Sequence, residues 1–290
     1  MSVPSASEVL SEVERSLAGA PRVALCQIIG NRGSTSGKAG WKMLVRGDGS
    51  IYGNLGGGAF EAMVMADAQS MLVAAQKSTE AGASSRVERY YLTEEAKKGQ
   101  PTGMACGGMV EVLLEVVSAR PVLVVCGGGP VGQAVASQAV LSGFELAVAD
   151  DRDQFRQPDL FPQGTHLLEV DRDYSGGFLS AWQHRELLVT VVSRCWETDT
   201  AAVEAVLRQR LAGLRYLGLM GSRRKVERVV QELVTRGADL EGVPWYAPIG
   251  LPIGGDSPAE IAVSIMAQII QERHRSRAES GGTASAVRLA

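Results

Sequence analysis

The strongest restriction on the fold is a pattern repeated through the second half of the chain. Apolar runs of strand length recur, several followed by helical patterns. "PVLVVCGGG" (121–129) is a continuous apolar run that ends in glycines and leads into a helix. "FELAVADD" (144–151) reads as the next strand, and "HLLEV" (166–170), "ELLVTVVS" (186–193) and "RYLGLMG" (215–221) are further runs of strand length. Strands alternating with helices imply a parallel, doubly wound sheet, so this half is expected to be Rossmann-like.

The first half has a different rhythm. "RVALCQIIG" (22–30) reads as a buried strand, and "KMLVRGDGSIYGNLGGG" (42–58) has Asp48-Gly49 between two β-prone runs, a strong hairpin signal. A helical pattern runs from Ala59 to about Lys77, and "SRVERYYLT" and "GMVEVLLEVV" read as strands. The fold class expected is α/β, with an N-terminal α+β domain over 1–118 and a Rossmann-like parallel-sheet domain over 119–274. The tail 275–290 is low in packing residues and is expected to be disordered.

Composition excludes some function classes. The net charge of −3 and the 5% aromatic content give no basis for nucleic-acid binding or for an anionic membrane. The N-terminus lacks the basic start and apolar core of an export signal and reads as an amphipathic helix, with Ser7 as its cap and Val9, Leu10, Val13 and Leu17 on one face. No apolar run approaches the roughly 18 residues that span a bilayer. A cytoplasmic protein is therefore expected. Cys26, Cys106, Cys126 and Cys195 form no CxxC pair, which argues against a zinc site or a disulfide framework.

Three glycine turns could carry a ligand. Gly127, Gly129 and Gly132 fit G-x-G-x-x-G between a strand and a helix: the first glycine permits the tight turn, the second lets backbone approach a phosphate, and the third allows close helix–strand packing. Asp150 ends the next strand, at the distance suited to a ribose hydroxyl. Arg152 could instead meet a 2′-phosphate, so NAD and NADP both stay open. In "LGLMGSRRKVERVV" (217–230), Gly221 is followed by the cap Ser222 and then by Arg223, Arg224 and Lys225 in the first helical turn. Basic residues there oppose the helix dipole unless an anion is near, which suggests a phosphate-type contact. In "APIGLPIGGDSPAEIAVSI" (247–265), Ser257, Pro258 and Glu260 form a capping box, and Gly250, Gly254 and Gly255 are free to line a ligand.

The first half holds two more glycine turns. "GNLGGGAFEA" carries Gly56, Gly57, Gly58 and Glu61, and "PTGMACGGMVEV" carries Cys106 before two glycines, where a thiolate or a small packed residue is equally intelligible. "GSTSGK" is not a P-loop, because Arg32 stands where its first glycine is needed and Ala39 where Ser or Thr would follow.

The blocks "GSTSGKAGWKMLV", "GNLGGGAFEA", "ACGGMVEVLLE", "YLGLMGSRRK" and "PIGLPIGGDSPAEIAVSI", in this order around a Rossmann half, resemble the XdhC/CoxI family over about residues 8–274. The family serves the maturation of molybdenum hydroxylases such as xanthine dehydrogenase and aldehyde oxidoreductase. The resemblance implies a chaperone that binds molybdenum cofactor (molybdopterin, with or without a nucleotide), shelters it while a cysteine desulfurase installs its sulfido ligand, and passes it to the apoenzyme. It also implies a homodimer. Cofactor-binding residues are then expected at Gly56, Gly57, Gly58, Glu61 and Cys106, at Gly127, Gly129, Gly132, Asp150 and Arg152, and at Gly221, Ser222, Arg223 and Arg224. No catalytic residue or resident metal site is expected.

The sequence departs from the family in three places. Ala59 stands where the family has a cysteine after the triple glycine. "SRCWETD" puts Arg194, Cys195 and Trp196 in a run that is usually histidine-rich, with Asp199 kept. Ser36 replaces a proline. Cys106 is the best remaining first-domain thiol. The competing class is an NAD(P)-dependent oxidoreductase, with a nucleotide-binding regulator as a third. Against the enzyme, His166, His184 and His274 sit in no recognisable motif and no Ser-x-x-x-Tyr-x-x-x-Lys pattern occurs.

Overall fold

The structure, a computed structural model, describes residues 4–77, 84–92, 100–101 and 108–280. The chain divides into two units, Met1–Ala119 and Arg120–Ala290.

The first unit is a six-stranded sheet with a helix on each face. Its elements are α1 (Ala6–Gly19), β1 (Arg22–Arg32), β2 (Lys42–Val45), β3 (Ile51–Gly53), α2 (Gly58–Lys77), β4 (Ser85–Tyr91), β5 (Gln100–Pro101) and β6 (Met109–Ser118), with strand order β3-β2-β1-β6-β4-β5. Side chains alternate across a strand, so β1 serves two layers. Ala24, Cys26 and Ile28 pack under Phe60, Val64, Ala68 and Leu72 of α2, while Val23 meets Val9 and Val13 of α1 on the other face. The expected hairpin is present. Ser50 N donates to Asp48 Oδ1 at 2.9 Å, and Gly49 takes φ 84°, the left-handed conformation that favours glycine. The cap of α1 is Ser5 rather than Ser7, because only Ser5 has a glutamate three residues on. Glu8 N donates to Ser5 Oγ at 3.3 Å and Ser5 N to Glu8 Oε2 at 2.6 Å.

The second unit runs β7 (Val122–Cys126), α3 (Pro130–Leu141), β8 (Glu145–Asp150), β9 (His166–Glu169), β10 (Leu187–Val191), α4 (Trp196–Arg208), β11 (Leu214–Leu219), α5 (Arg223–Thr235), β12 (Trp245–Tyr246) and α6 (Pro258–Ser280). Neighbouring strands of its sheet pair in parallel, in the order β12-β11-β10-β7-β8-β9. This is the doubly wound order, which reverses direction between β7 and β10 and places the ligand crevice at their carboxyl ends. Val122, Val124 and Cys126 face α4 and α5, while Leu123 and Val125 face α3 and α6. Helix α6 continues through Ser280, so residues 275–280 are helical rather than part of a disordered tail. Nothing from Arg275 to Ser280 breaks a helix, and Gly281-Gly282 follow it. Residues 281–290 lie outside the described residues.

Candidate functional site

The switch point is built from the loops after β7, β8 and β10. Gly127 takes φ 121° and donates its N–H to Ala149 O at 2.8 Å; a Cβ there would lie 2.8 Å from Val192 O. Only glycine fits between the two flanking strand ends. A Cβ on Gly132 would lie 1.9 Å from Gly127 O, so α3 sits as close to the turn as backbone allows. Gly129 is the N-cap of α3 and has no side-chain cap; a Cβ on it would meet nothing within 4 Å. Backbone N–H groups at the head of α3 are thus presented at an open glycine, an arrangement that suits an anion.

Two arginines hold the acidic pair that ends β8. Arg152 folds back on Asp150, with Nε to Oδ1 and Nη2 to Oδ2 both at 2.9 Å. Arg194, after β10, makes a two-pronged pair with Asp151 at 2.7 and 2.8 Å. Hydrogen bonding to Arg194 holds the Asp151 carboxyl below its ordinary range. Because β7 lies between β8 and β10, this pair links the loops on either side of the glycine turn.

A buried network lies beside it. Asp199, on α4 and fully buried, accepts from Ser193 Oγ at 2.7 Å and pairs with Lys225 Nζ, which also donates to Met220 O at 3.2 Å. Burial pushes the Asp199 carboxyl above its ordinary range, and Lys225 and Ser193 oppose that shift. The three basic residues of α5 therefore divide. Arg223 and Arg224 are exposed, and Lys225 turns inward across Gly221, where a Cβ would lie 2.7 Å from Lys225 Cδ. Ser222 caps α5, accepting from Lys225 N at 3.3 Å. Cys195 is half-buried, with Sγ 3.3 Å from Thr198 Oγ1.

In the first unit Gly56, Gly57 and Gly58 take φ 128°, 75° and 69° and lead into α2. Glu61 turns back on this loop and accepts from Leu55 N at 2.8 Å and Gly57 N at 3.3 Å, while Ala59 is exposed. Gly56 packs on the loop of the "GSTSGK" stretch, 2.7 Å from Ser36 Oγ as measured from a Cβ position. Cys106 lies outside the described residues.

The second-unit candidates thus gather at the carboxyl edge of one sheet, with Gly127, Gly129, Gly132, Asp150 and Arg152 at β7 and β8 and Gly221 to Arg224 at β11. Sequence reasoning missed the part played by Gly128, where a Cβ would lie 2.4 Å from Phe155 O. Its trace was a glycine at the position between Gly127 and Gly129, which the motif leaves free. A cavity of about 770 Å³ lies at the opposite edge, among Arg208, Arg210, Arg215 and Arg236, away from the glycine turns. Among the described residues no group of three His, Cys, Asp or Glu side chains could hold a metal ion, and no helix is long and apolar enough to cross a membrane.

Fold and turn define a two-unit α/β chain whose second unit is of Rossmann type. Residues 123–269 match the XdhC Rossmann domain and residues 17–84 match the XdhC and CoxI family. The chain belongs to the XdhC and CoxI family. It is 35% identical over 254 residues to Uncharacterized protein YqeB of Escherichia coli (strain K12), covering 87% of this chain and 43% of that protein. It is 27% identical over 164 residues to a probable xanthine dehydrogenase subunit of Bacillus subtilis (strain 168), covering 57% and 46% respectively. The chain thus spans less than half the length of these curated relatives. A crystal structure described as a xanthine dehydrogenase from Bacillus halodurans aligns over 96% of this chain and 98% of its own, with 23% identity and a TM-score of 0.47.

Proposed function

We propose that this chain is an accessory factor for a molybdenum hydroxylase of the xanthine dehydrogenase type. It takes up the pterin-bound molybdenum cofactor, shelters it while a cysteine desulfurase supplies the sulfido ligand, and delivers it to the apoenzyme, working as a homodimer in the cytoplasm. Family membership carries the reading. The name of the Bacillus subtilis relative supports the client class.

The residues present fit a polyanionic ligand. The head of α3 is uncapped and open at Gly129. The exposed Arg223 and Arg224 stand at the head of α5, on a strand end two spacings, or about 10 Å, from β7. The cofactor's phosphate would lie on the N–H groups at Gly129, with Arg223 and Arg224 supplying positive charge. When bound, the cofactor supplies the redox chemistry of the client, and this chain supplies shelter and charge. In the first unit the open Gly57 and the exposed head of α2 are the corresponding approach.

The test is the ligand that copurifies from cells making the cofactor, identified by metal analysis and by fluorescence of the oxidised pterin. Molybdenum and pterin in stoichiometric amount, with capture of the apoenzyme, are expected. Protein free of both, and unable to raise the activity of a candidate hydroxylase, would refute the reading. The variant R223E/R224E should fold and bind the cofactor at least about tenfold more weakly, since charge-assisted hydrogen bonds are lost. Unchanged affinity would make the cluster a solvated face.

A further inference from the structure

The glycine turn has the form of a dinucleotide site, and the residues around it are arranged against one. In such a site the carboxylate that ends the second strand accepts hydrogen bonds from a ribose diol beside the pyrophosphate. Asp150 holds that position, is 2% exposed, and has both oxygens in use. Oδ1 accepts from Arg152 N at 3.0 Å and Arg152 Nε at 2.9 Å, and Oδ2 accepts from Gly128 N at 2.8 Å and Arg152 Nη2 at 2.9 Å. A carboxylate offers about four lone-pair sites. All of them are filled by donors of this chain, and three of the four come from Arg152.

The arginine is itself held in place. Its guanidinium carbon lies 4.0 Å from the centre of the Phe155 ring. The same segment is folded onto the turn: a Cβ on Gly128 would lie 2.4 Å from Phe155 O and 3.3 Å from the Phe161 ring. Gly128 is therefore a glycine because residues 152–161 lie against it. The next acidic residue, Asp151, is committed to Arg194. A diol arriving at the end of β8 would meet a guanidinium where it needs a carboxylate. A 2′-phosphate would need Arg152 to leave Asp150 and would then face that buried charge.

We propose that Arg152 is a specificity-determining residue that occupies the ribose place of the turn, so that the site accepts a phosphate carried on a group other than a nucleoside and rejects NAD and NADP alike. For what the turn accepts, this rests on the cofactor assignment above; what it refuses is read separately, by titration with nicotinamide nucleotides and pyrophosphate.

The experiment is isothermal titration of the full chain with NADH, NADPH and inorganic pyrophosphate, for the natural protein and for R152A, R152Q and D150N/R152A. The natural protein should bind neither nicotinamide nucleotide more tightly than pyrophosphate. R152A frees Asp150, and should gain NADH affinity of about tenfold or more, the scale of a charged hydrogen bond. It should also prefer NADH to NADPH, because a free carboxylate repels a 2′-phosphate. D150N/R152A should lose that preference. If R152A fails to fold, R152Q, which keeps the length and gives up the two-pronged pair, should show the same gain. NADH binding by the natural protein tighter than pyrophosphate would overturn the proposal, as would folded R152A or R152Q variants with no gain.

Discussion

Replacing Lys225 by methionine strands a fully buried charge of the second unit, Asp199. Asp199 has no exposed surface, and its partners are Ser193 and Lys225. Removing one partner of a buried pair costs about 3–5 kcal/mol, because the surviving charge stays out of water. Lys225 retains 23% side-chain exposure, which places the cost at the low end, about 3 kcal/mol. For a unit of about 170 residues, each kcal/mol moves Tm by about 2–4 °C, so K225M should melt about 6–12 °C lower at neutral pH. The pH dependence has a definite sign. The folded pKa of Asp199 lies above its unfolded value, so the folded state binds the extra proton, and the unit loses stability as pH rises through that window. Without Lys225 the folded pKa rises further. The gap between K225M and the natural protein should therefore be widest at pH 7–8 and narrow toward acid. In D199N/K225M no charge is stranded, and most of the loss should return. Calorimetry over this pH range reads all three proteins. A K225M cost below about 1 kcal/mol, or a double variant no more stable than K225M, would refute a structural ion pair here.

G132A puts a methyl group 1.9 Å from Gly127 O and should cost about 3 kcal/mol or more by urea denaturation; a near-neutral result would mean that α3 is not seated on the turn. E61A releases the N–H groups of Leu55 and Gly57; it should lower the stability of the first unit by about 1–2 kcal/mol and make the loop over 54–58 easier to cleave by protease, whereas unchanged cleavage would free Glu61 for a ligand role. Burial raises the Cys26 thiol to about 12 and pushes Cys126 up as well, so native protein treated with iodoacetamide at pH 8 should be labelled at Cys195 before either, as mapped by mass spectrometry. Prompt labelling of Cys126 would show that the β7 layer opens readily.

The parallel sheet was legible because β7, β8, β10 and β11 are largely apolar runs that alternate with helical patterns, as strands buried on both faces do. The box of Ser257 and Glu260 was legible for the same local reason that points to Ser5: a serine three residues before a glutamate. What escaped was the direction taken by long side chains. Spacing counts Lys225 with Arg223 and Arg224 as a basic cluster awaiting an external anion, but the anion it meets is Asp199 on the neighbouring helix α4. Asp150 and Arg152 read as ribose and phosphate contacts taken singly; together they satisfy each other. Glu61 reads from the sequence as a cofactor contact, and its Oε2 accepts from two N–H groups of its own loop. In each case the sequence displays the charge, and the fold decides which charge is matched internally.

The pairing of β1 with β6 has a consequence for synthesis. These strands join residues 22–32 to residues 109–118, and Ala119 N donates to Pro21 O at 2.9 Å, so the start of β1 and the end of β6 lie at one place. Its central strand therefore waits for its last one. On the ribosome, β1, the β2–β3 hairpin and α2 emerge with one edge of β1 unfilled, a template for any passing strand until Ser118 clears the exit tunnel. A shortened protein that stops at residue 84, with the family-matched segment intact, should stay trapped in that condition and associate through β1, whereas one carried through Ser118 closes its own sheet.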